Sequence, residues 1–384
     1  MGKMIYLDNA ATTKAAPEVV EAMLPYFTEF YGNASTVYEF GAKSKEAVSK
    51  ARETIANAIG AKENEVYFTA GGSEADNWAI KATAEAYQGK GKHIITSKIE
   101  HHAVLHTCQW LEQNGFEVTY LDVDEFGVVK LEELKKAIRP DTILISIMFA
   151  NNEIGTIEPV EEIGKIAKEH GILFHTDAVQ AFGQVPIDVD ALNIDMLSSS
   201  GHKLNGPKGV GFLYIRKGLK LRSFIHGGAQ ERKRRAGTEN VPGIAGMARA
   251  VEEIFVDFDA KINYLYGLKE QFIKGVRMID GIRINGPEGR DGAPHVVSVS
   301  IQGVRSEVML HALGDKGIYV SAGSACSSNK PSVSATLKAI GVEKQFLDAT
   351  LRFSFSLYTT ETEIDYTVKA LCELVPMLRR YTRK

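Results

Sequence analysis

The sequence predicts an α/β protein: a large domain with a mostly parallel sheet flanked by helices, followed by a smaller C-terminal α+β domain. Three observations carry this. Helical and strand patterns alternate along most of the chain. The run "TILISIMFA" is apolar on both faces, as a strand buried in the middle of a parallel sheet must be. Beyond Lys261 the rhythm shortens, and mixed strands and helices follow at closer spacing. Repeated β-α-β order puts helices on both faces of a sheet. Residues 15–260 are therefore expected to form the large domain, with 1–14 and 261–384 forming the small one.

The elements follow in order. "PEVVEAMLPYF" and "SKEAVSKARETIANAIG" read as helices, the second closed by Gly60 at its C-cap. "EVYFT" reads as a strand, "SEADNWAIKATAEAY" as a helix and "KHIITS" as a strand. "HAVLHTCQWLEQNG" is helical, "FEVTYLDV" extended and "KLEELKKAI" helical, ahead of the buried run. "VEEIGKIAKEHG" and "ILFHTDAVQ" give another helix and strand, and "DMLSSS" and "GVGFLYIR" two further strands. The stretch from "GTENVPG" to "GVRMI" reads as one long helix with a break, bridging the domains. After it come "HVVSVSI", "SEVMLHALGDKG", "IYVSAGSACSS", "TLRFSFS" and "TETEIDYTVKALCELVPMLRRY".

Composition narrows the class. The 384 residues are 44% hydrophobic and 24% charged, ordinary for a soluble globular protein. A net charge of −3 argues against nucleic acid as the main partner. Three cysteines with no C-x-x-C pair suggest neither a disulfide framework nor a zinc ribbon, and a reducing cytoplasm fits them. No signal peptide and no apolar run of membrane-spanning length is expected. Cys108 and Cys372 lie in amphipathic patterns and read as packing residues. His102 and His106 stand at i, i+4, a spacing that can bind zinc, but without a third ligand no metal is expected. The basic run "ERKRRAG" reads as lining the mouth of an anion site.

The chemistry concentrates in a few short stretches. "SSSGHKLNGPKGVG" places Lys203 just after a short strand, beside His202 and Ser200. Lysines mostly belong on solvated faces. A desolvated one can shed its proton and condense with an aldehyde, and the natural aldehyde cofactor is pyridoxal 5′-phosphate. That cofactor needs a carboxylate at its ring nitrogen and a cradle for its phosphate. "ILFHTDAVQ" puts Asp177 at the C-terminal end of a buried strand, where open α/β sheets hold ligands; alone it is equally a helix cap or turn residue. "FTAGGSEADN" runs from a strand through two glycines to Ser73 at a helix start, whose N–H groups suit a phosphate. Arg352 in "TLRFSFS" could clamp a carboxylate with paired hydrogen bonds, or be an ordinary surface arginine. Asn152 follows the buried strand and is equally a turn residue. "SAGSACSSN" sets Cys326 in a run of small residues, where backbone freedom would suit a thiol that must travel.

Taken in order, "LDNAATT", "TAGGSEADN", "KIEHHAV", "NNEIGT", "HTDAVQ", "SGHKLNGPKGVG", "RRAGTENV", "SAGSACSS" and "LRFSF" resemble class V, fold-type I enzymes that use pyridoxal phosphate. The resemblance runs from about Tyr6 to Tyr366 and is closest to cysteine desulfurases of the NifS/IscS type. It implies that Lys203 holds the cofactor, Asp177 its ring nitrogen and Gln180 its phenolic oxygen. It further implies His101 stacked on the ring and active in proton transfer, with Gly72, Ser73, Ser200 and His202 around the phosphate. Thr238 would reach in from the second subunit of a homodimer. Asn152 and Arg352 would hold the carboxylate of L-cysteine, and Cys326 would accept its sulfur for delivery to an acceptor protein, an iron–sulfur scaffold or a thiolation enzyme. A selenocysteine lyase or another class V aminotransferase is the alternative. The motif "YGNASTVYEFG" departs from close relatives at Ala34 and Tyr38, where proline and histidine are usual.

Overall fold

A computed structural model of the chain describes residues 4–322 and 334–381. In chain order its strands are β1 (Ile5–Tyr6), β2 (Val66–Thr69), β3 (His93–Ser97), β4 (Glu117–Leu121), β5 (Thr142–Ser146), β6 (Leu173–Asp177) and β7 (Met196–Ser200). They continue with β8 (Gly211–Ile215), β9 (Ile282–Asn285), β10 (Val296–Ile301), β11 (Ile318–Tyr319), β12 (Ser321–Ala322) and β13 (Thr350–Ser354).

Seven strands build the main sheet in the order β2-β8-β7-β6-β5-β3-β4. From β7 to β4 every pairing is parallel, and only β8 runs against its neighbours. Because β8 is antiparallel to both β2 and β7, β2 points the same way as the parallel set. All residues of β3, β5 and β7 are buried, so the side chains on both faces of these strands are covered. A helix such as Val160–Glu169 shows why: Val160, Ile163, Gly164, Ile166 and Ala167 recur at helical spacing on the buried face. The helix Ala42–Ala58 stops just before Gly60, whose φ of 69° suits a residue without Cβ.

The fold class is the one the pattern predicts, and the local differences have physical causes. The first helix is two pieces, Pro17–Met23 and Pro25–Thr28, because Pro25 has no N–H and opens a new helix at its first position. The bridging helix is likewise two, Val241–Phe255 and Phe258–Val276, broken at Asp257 with φ 53°.

A second, antiparallel sheet has the order β12-β13-β10-β9. Its strands pack with the helices Phe258–Val276 and Glu361–Arg379 around Phe272, Phe353 and Phe355. The start of the chain joins this core: β1 pairs with β11, and Ile5 and Leu7 are buried in it. Residues 8–13 then cross to the main sheet, with the Thr13 N–H donating to the His202 carbonyl at 2.9 Å. Cys108 is buried as expected, but Cys372 is exposed. It falls on the solvent side of the last helix, whose buried stripe is Ile364, Thr367, Ala370, Leu371, Leu374 and Val375.

Candidate active site

The parallel strands all release their chains at one edge of the main sheet, and the predicted site residues gather there. Asp177 ends β6, Ser200 ends β7, and Asn152 lies shortly beyond β5. His101 follows β3, and Gly72 follows β2.

Gly72 opens the 16-residue helix Gly72–Tyr87, so Gly72, Ser73 and Glu74 present backbone N–H groups at a positive dipole end. Two glycines are needed to get there. Gly71 has φ 150°, and a Cβ on Gly72 would come within 2.6 Å of Val179 Cγ2. Ser73 and His101 line one open cavity of about 660 Å³.

Asp177 is buried, and its Oδ1 accepts from the Val179 N–H at 2.9 Å. Burial raises its pKa, while His101 and Lys203 pull it back toward the charged form. A cationic ring nitrogen held against it would pull the same way. His101 caps the helix His102–Gln113, its Nδ1 accepting from the Ala103 N–H at 3.2 Å. Burial lowers its pKa, so the ring is neutral with its proton on Nε2. Lys203 Nζ donates to the carbonyls of Ala10 at 2.5 Å and Ala11 at 2.8 Å. Gln180 shares the Ala10 carbonyl, donating at 3.0 Å. His202 Nδ1 lies 3.2 Å from Thr12 Oγ1, and burial with the neighbouring Lys203 charge lowers its pKa to about 4.

Arg352 on β13 comes from the other sheet, 4% exposed. Its Nη2 binds Asp8 Oδ1 at 2.8 Å and its Nη1 the backbone carbonyl of Asn152 at 2.8 Å, while Nε has no hydrogen-bond partner among the described residues. Asn152 thus meets Arg352 through its main chain. Thr238 does not join the cluster of its own chain: it lines a different cavity of about 140 Å³ with Arg235, Glu231 and Asn240. Cys326 lies outside the described residues. The basic run is largely engaged within its own chain, while Arg235 also lines the cavity of Thr238. Glu231 is buried in a bidentate pair with Arg52 at 2.7 and 2.9 Å, Arg235 pairs with Glu74, and Arg232 and Arg234 donate to backbone carbonyls.

Sequence reasoning missed the layer behind Asp177. Ligand-capable atoms of Asp76, His101 and Asp177 lie within 4.8 Å of one another. Asp76 is fully buried, its Oδ1 3.7 Å from His175 Nε2 and without a hydrogen-bond partner among the described residues. Burial together with the Asp177 charge holds its pKa well above the carboxylate range. His175, between Ser146 and Ser198 at 2.9 Å each, is kept neutral by burial, its pKa near about 3. Asp76 looked like one more polar position of an amphipathic helix. The signal that could have found it is its place one turn after the glycine pair, on the side facing the sheet.

The arrangement can hold an anion at a helix start, set a buried carboxylate against a heteroaromatic nitrogen, and bring a lysine to an aldehyde. Residues 5–367 match the family model described as aminotransferase class-V, and the chain belongs to that family. It is 55% identical over 377 residues to the cysteine desulfurase IscS of Methanosarcina thermophila, covering 98% of this chain and 93% of the relative. It is 51% identical over 380 residues to the cysteine desulfurase IscS of Dictyoglomus turgidum, covering 99% and 96%. Among solved structures, a NifS-like protein superposes with a TM-score of 0.92 at 40% identity, covering 98% of this chain and all 100% of that one. A structure described as SspA in complex with cysteine gives 0.83 at 38% identity, covering 93% and 100%. The family's cofactor is pyridoxal 5′-phosphate.

Proposed function

We propose that this chain is a pyridoxal-phosphate-dependent cysteine desulfurase that converts L-cysteine to L-alanine and takes the sulfur onto Cys326 as a persulfide. The observation that carries the reading is the convergence of Lys203, His101 and Asp177 at one sheet edge with Arg352 brought in from the second sheet. Near-full-length identity to desulfurases of 50% and above supports it.

The residues fit the cofactor. The helix start at Gly72 and Ser73, with Ser200 and His202, would hold the phosphate; Asp177 the ring nitrogen; Gln180 the phenolic oxygen; and Lys203 the aldehyde carbon. When bound, the cofactor supplies an electron sink for the substrate Cα carbanion. The protein does the rest. Arg352, held by Asp8 and the Asn152 carbonyl, supplies the guanidinium that would bind the substrate carboxylate. Lys203 Nζ, steered by the Ala10 and Ala11 carbonyls, is the base for the Cα proton. His101, neutral and carrying its proton on Nε2, can donate to a departing group and recover the proton afterwards. The substrate C–S bond breaks as the Cys326 thiolate bonds to its sulfur, so L-cysteine and a thiol become L-alanine and a persulfide.

We assign residues 15–260 to cofactor binding, and residues 1–14 with 261–384 to the domain carrying the sulfur acceptor. The working form is a cytoplasmic homodimer, with Thr238 completing the partner's phosphate site, and an acceptor protein takes the sulfur for iron–sulfur clusters or thiolated products. Among the described residues no helix is long and apolar enough to cross a membrane. Purified protein should be yellow and release sulfide and alanine in equal amounts from cysteine with a reductant. Cys326→Ala should keep the colour and lose the protein-bound persulfide. A yellow protein that makes keto acid from amino donors and no sulfide would be an aminotransferase instead.

A further inference from the structure

Gln180 has a partner that no motif singled out. Its amide oxygen faces His295 Nε2 at 3.0 Å, and both side chains are buried. His295 precedes β10, so the bond spans the junction between the two sheets. The other end of the amide donates to the Ala10 carbonyl, the same oxygen that Lys203 Nζ reaches.

The proton positions follow from chemistry. An amide nitrogen facing a carbonyl puts the amide oxygen toward His295, and a carbonyl oxygen only accepts. His295 Nε2 therefore carries the ring proton, and Nδ1 is an acceptor. Among the described residues Nδ1 has no protein hydrogen-bond partner, and neither has Gln184 Oε1. Both residues line a cavity of about 10 Å³ beside Lys203, room for a single water. A water has two protons to give, and these two acceptors each need one. Burial pushes the His295 pKa down to about 3, so the ring stays a one-proton donor through the neutral range.

We propose that His295 is a positioning residue: its Nε2–H pins the oxygen end of the Gln180 amide while Ala10 pins the nitrogen end, leaving the second amide N–H to the cofactor's phenolic oxygen. The arrangement ties that hydrogen bond to the docking of one sheet on the other. It rests on the reading of Gln180 as the residue that meets the phenolic oxygen, and the test separates the two.

The pH titration of the holoenzyme's visible absorption reports how well the phenolic oxygen is kept ionised. A hydrogen bond to the ionised oxygen lowers the chromophore pKa, so losing it raises that pKa. Gln180→Leu should raise it by about one unit. His295→Leu should raise it in the same direction, and so should His295→Asn, whose amide is too short to reach. His295→Gln places an N–H where Nε2 stood and should restore the wild-type value. A packing role alone would not separate Gln from Asn. Wild-type titration in both His295→Leu and His295→Asn, or a His295→Gln shift as large as that of Asn, overturns the proposal. If Gln180→Leu itself titrates as wild type, the reading of Gln180 falls and this one with it. Should His295→Leu fail to fold, the contrast between the Gln and Asn variants decides.

Discussion

Glu158 carries a buried carboxyl with only one oxygen satisfied. Oε2 accepts from the Val129 N–H at 2.9 Å, and Oε1 has no hydrogen-bond partner among the described residues. Burial, with the charge of Asp124 added, raises its pKa to about 8. In the unfolded chain the group loses its proton near the usual value of about 4.3. Between these values the native state binds the extra proton, so this group's contribution to stability falls as pH rises from about 4.3 to 8. Glu158→Gln mimics the protonated acid and removes that slope. It should match wild type near pH 4.5 and exceed it by a few kcal/mol (order of magnitude) at pH 8. Denaturant melts at the two pH values measure this, and an equal difference at both would refute it. Such residues show what a sequence hides. Lys203 and Asp177 were legible because each stands in a distinctive motif beside a predicted strand end, and His101 through the family resemblance that "KIEHHAV" helps to carry. Asp76 and Glu158 were not, because periodicity reads a carboxylate as solvent-facing and burial is decided by chain segments far away. Glu231 makes the same point: nothing in its basic run showed that Arg52, 179 residues away, is its partner.

At the level of elements, the longer strands and helices were readable in order, since apolar periods of two and 3.6 recur in them. By contrast β1, β9 and the helices Ala335–Ala339 and Lys344–Leu347 are too short to show a period. What the pattern could not show was how closely elements approach. The start of the helix Gly72–Tyr87 presses on the turn after β6, where the Val179 N–H steadies Asp177. An added Cβ at Gly72 would meet Val179 Cγ2 at 2.6 Å, and that methyl belongs to a short, stiff side chain. Gly72→Ala should therefore shift both the phosphate cradle and the carboxylate at once. Overpacking of this kind costs about 1–3 kcal/mol, so the apparent dissociation constant for pyridoxal phosphate should rise by about tenfold or more. Titrating the cofactor into the apoenzyme, followed by its visible absorption, measures the change. An unchanged constant would mean that the helix can slide away without cost.

At the scale of the whole molecule, an unusual amount of apolar surface lies between Val20 and Phe40. Leu24, Phe27, Tyr31, Val37 and Tyr38 are all more than half exposed. The rings of Tyr31 and Phe40 meet edge-on at 4.9 Å, a cluster that forms without being covered by the rest of the chain. Patches of this kind on one chain mark an interaction surface, and obligate homodimers bury their most apolar surface. In the proposed homodimer Thr238 would have a chemical purpose, because in its own chain this residue lines a different cavity from the one that Ser73 and His101 line. On that reading the phosphate site would borrow Thr238 from a second copy. Replacing Phe27 and Phe40 together with aspartate should convert the dimer to a monomer, read as a halved mass by light scattering. The monomer should keep its fold, since both side chains are exposed, yet bind pyridoxal phosphate more weakly by about the worth of one hydrogen bond to a charged group, roughly tenfold. Thr238→Val in the intact dimer should reproduce the weaker binding with no change in mass. A variant of halved mass with wild-type cofactor affinity would separate dimer formation from the site and return Thr238 to a structural role.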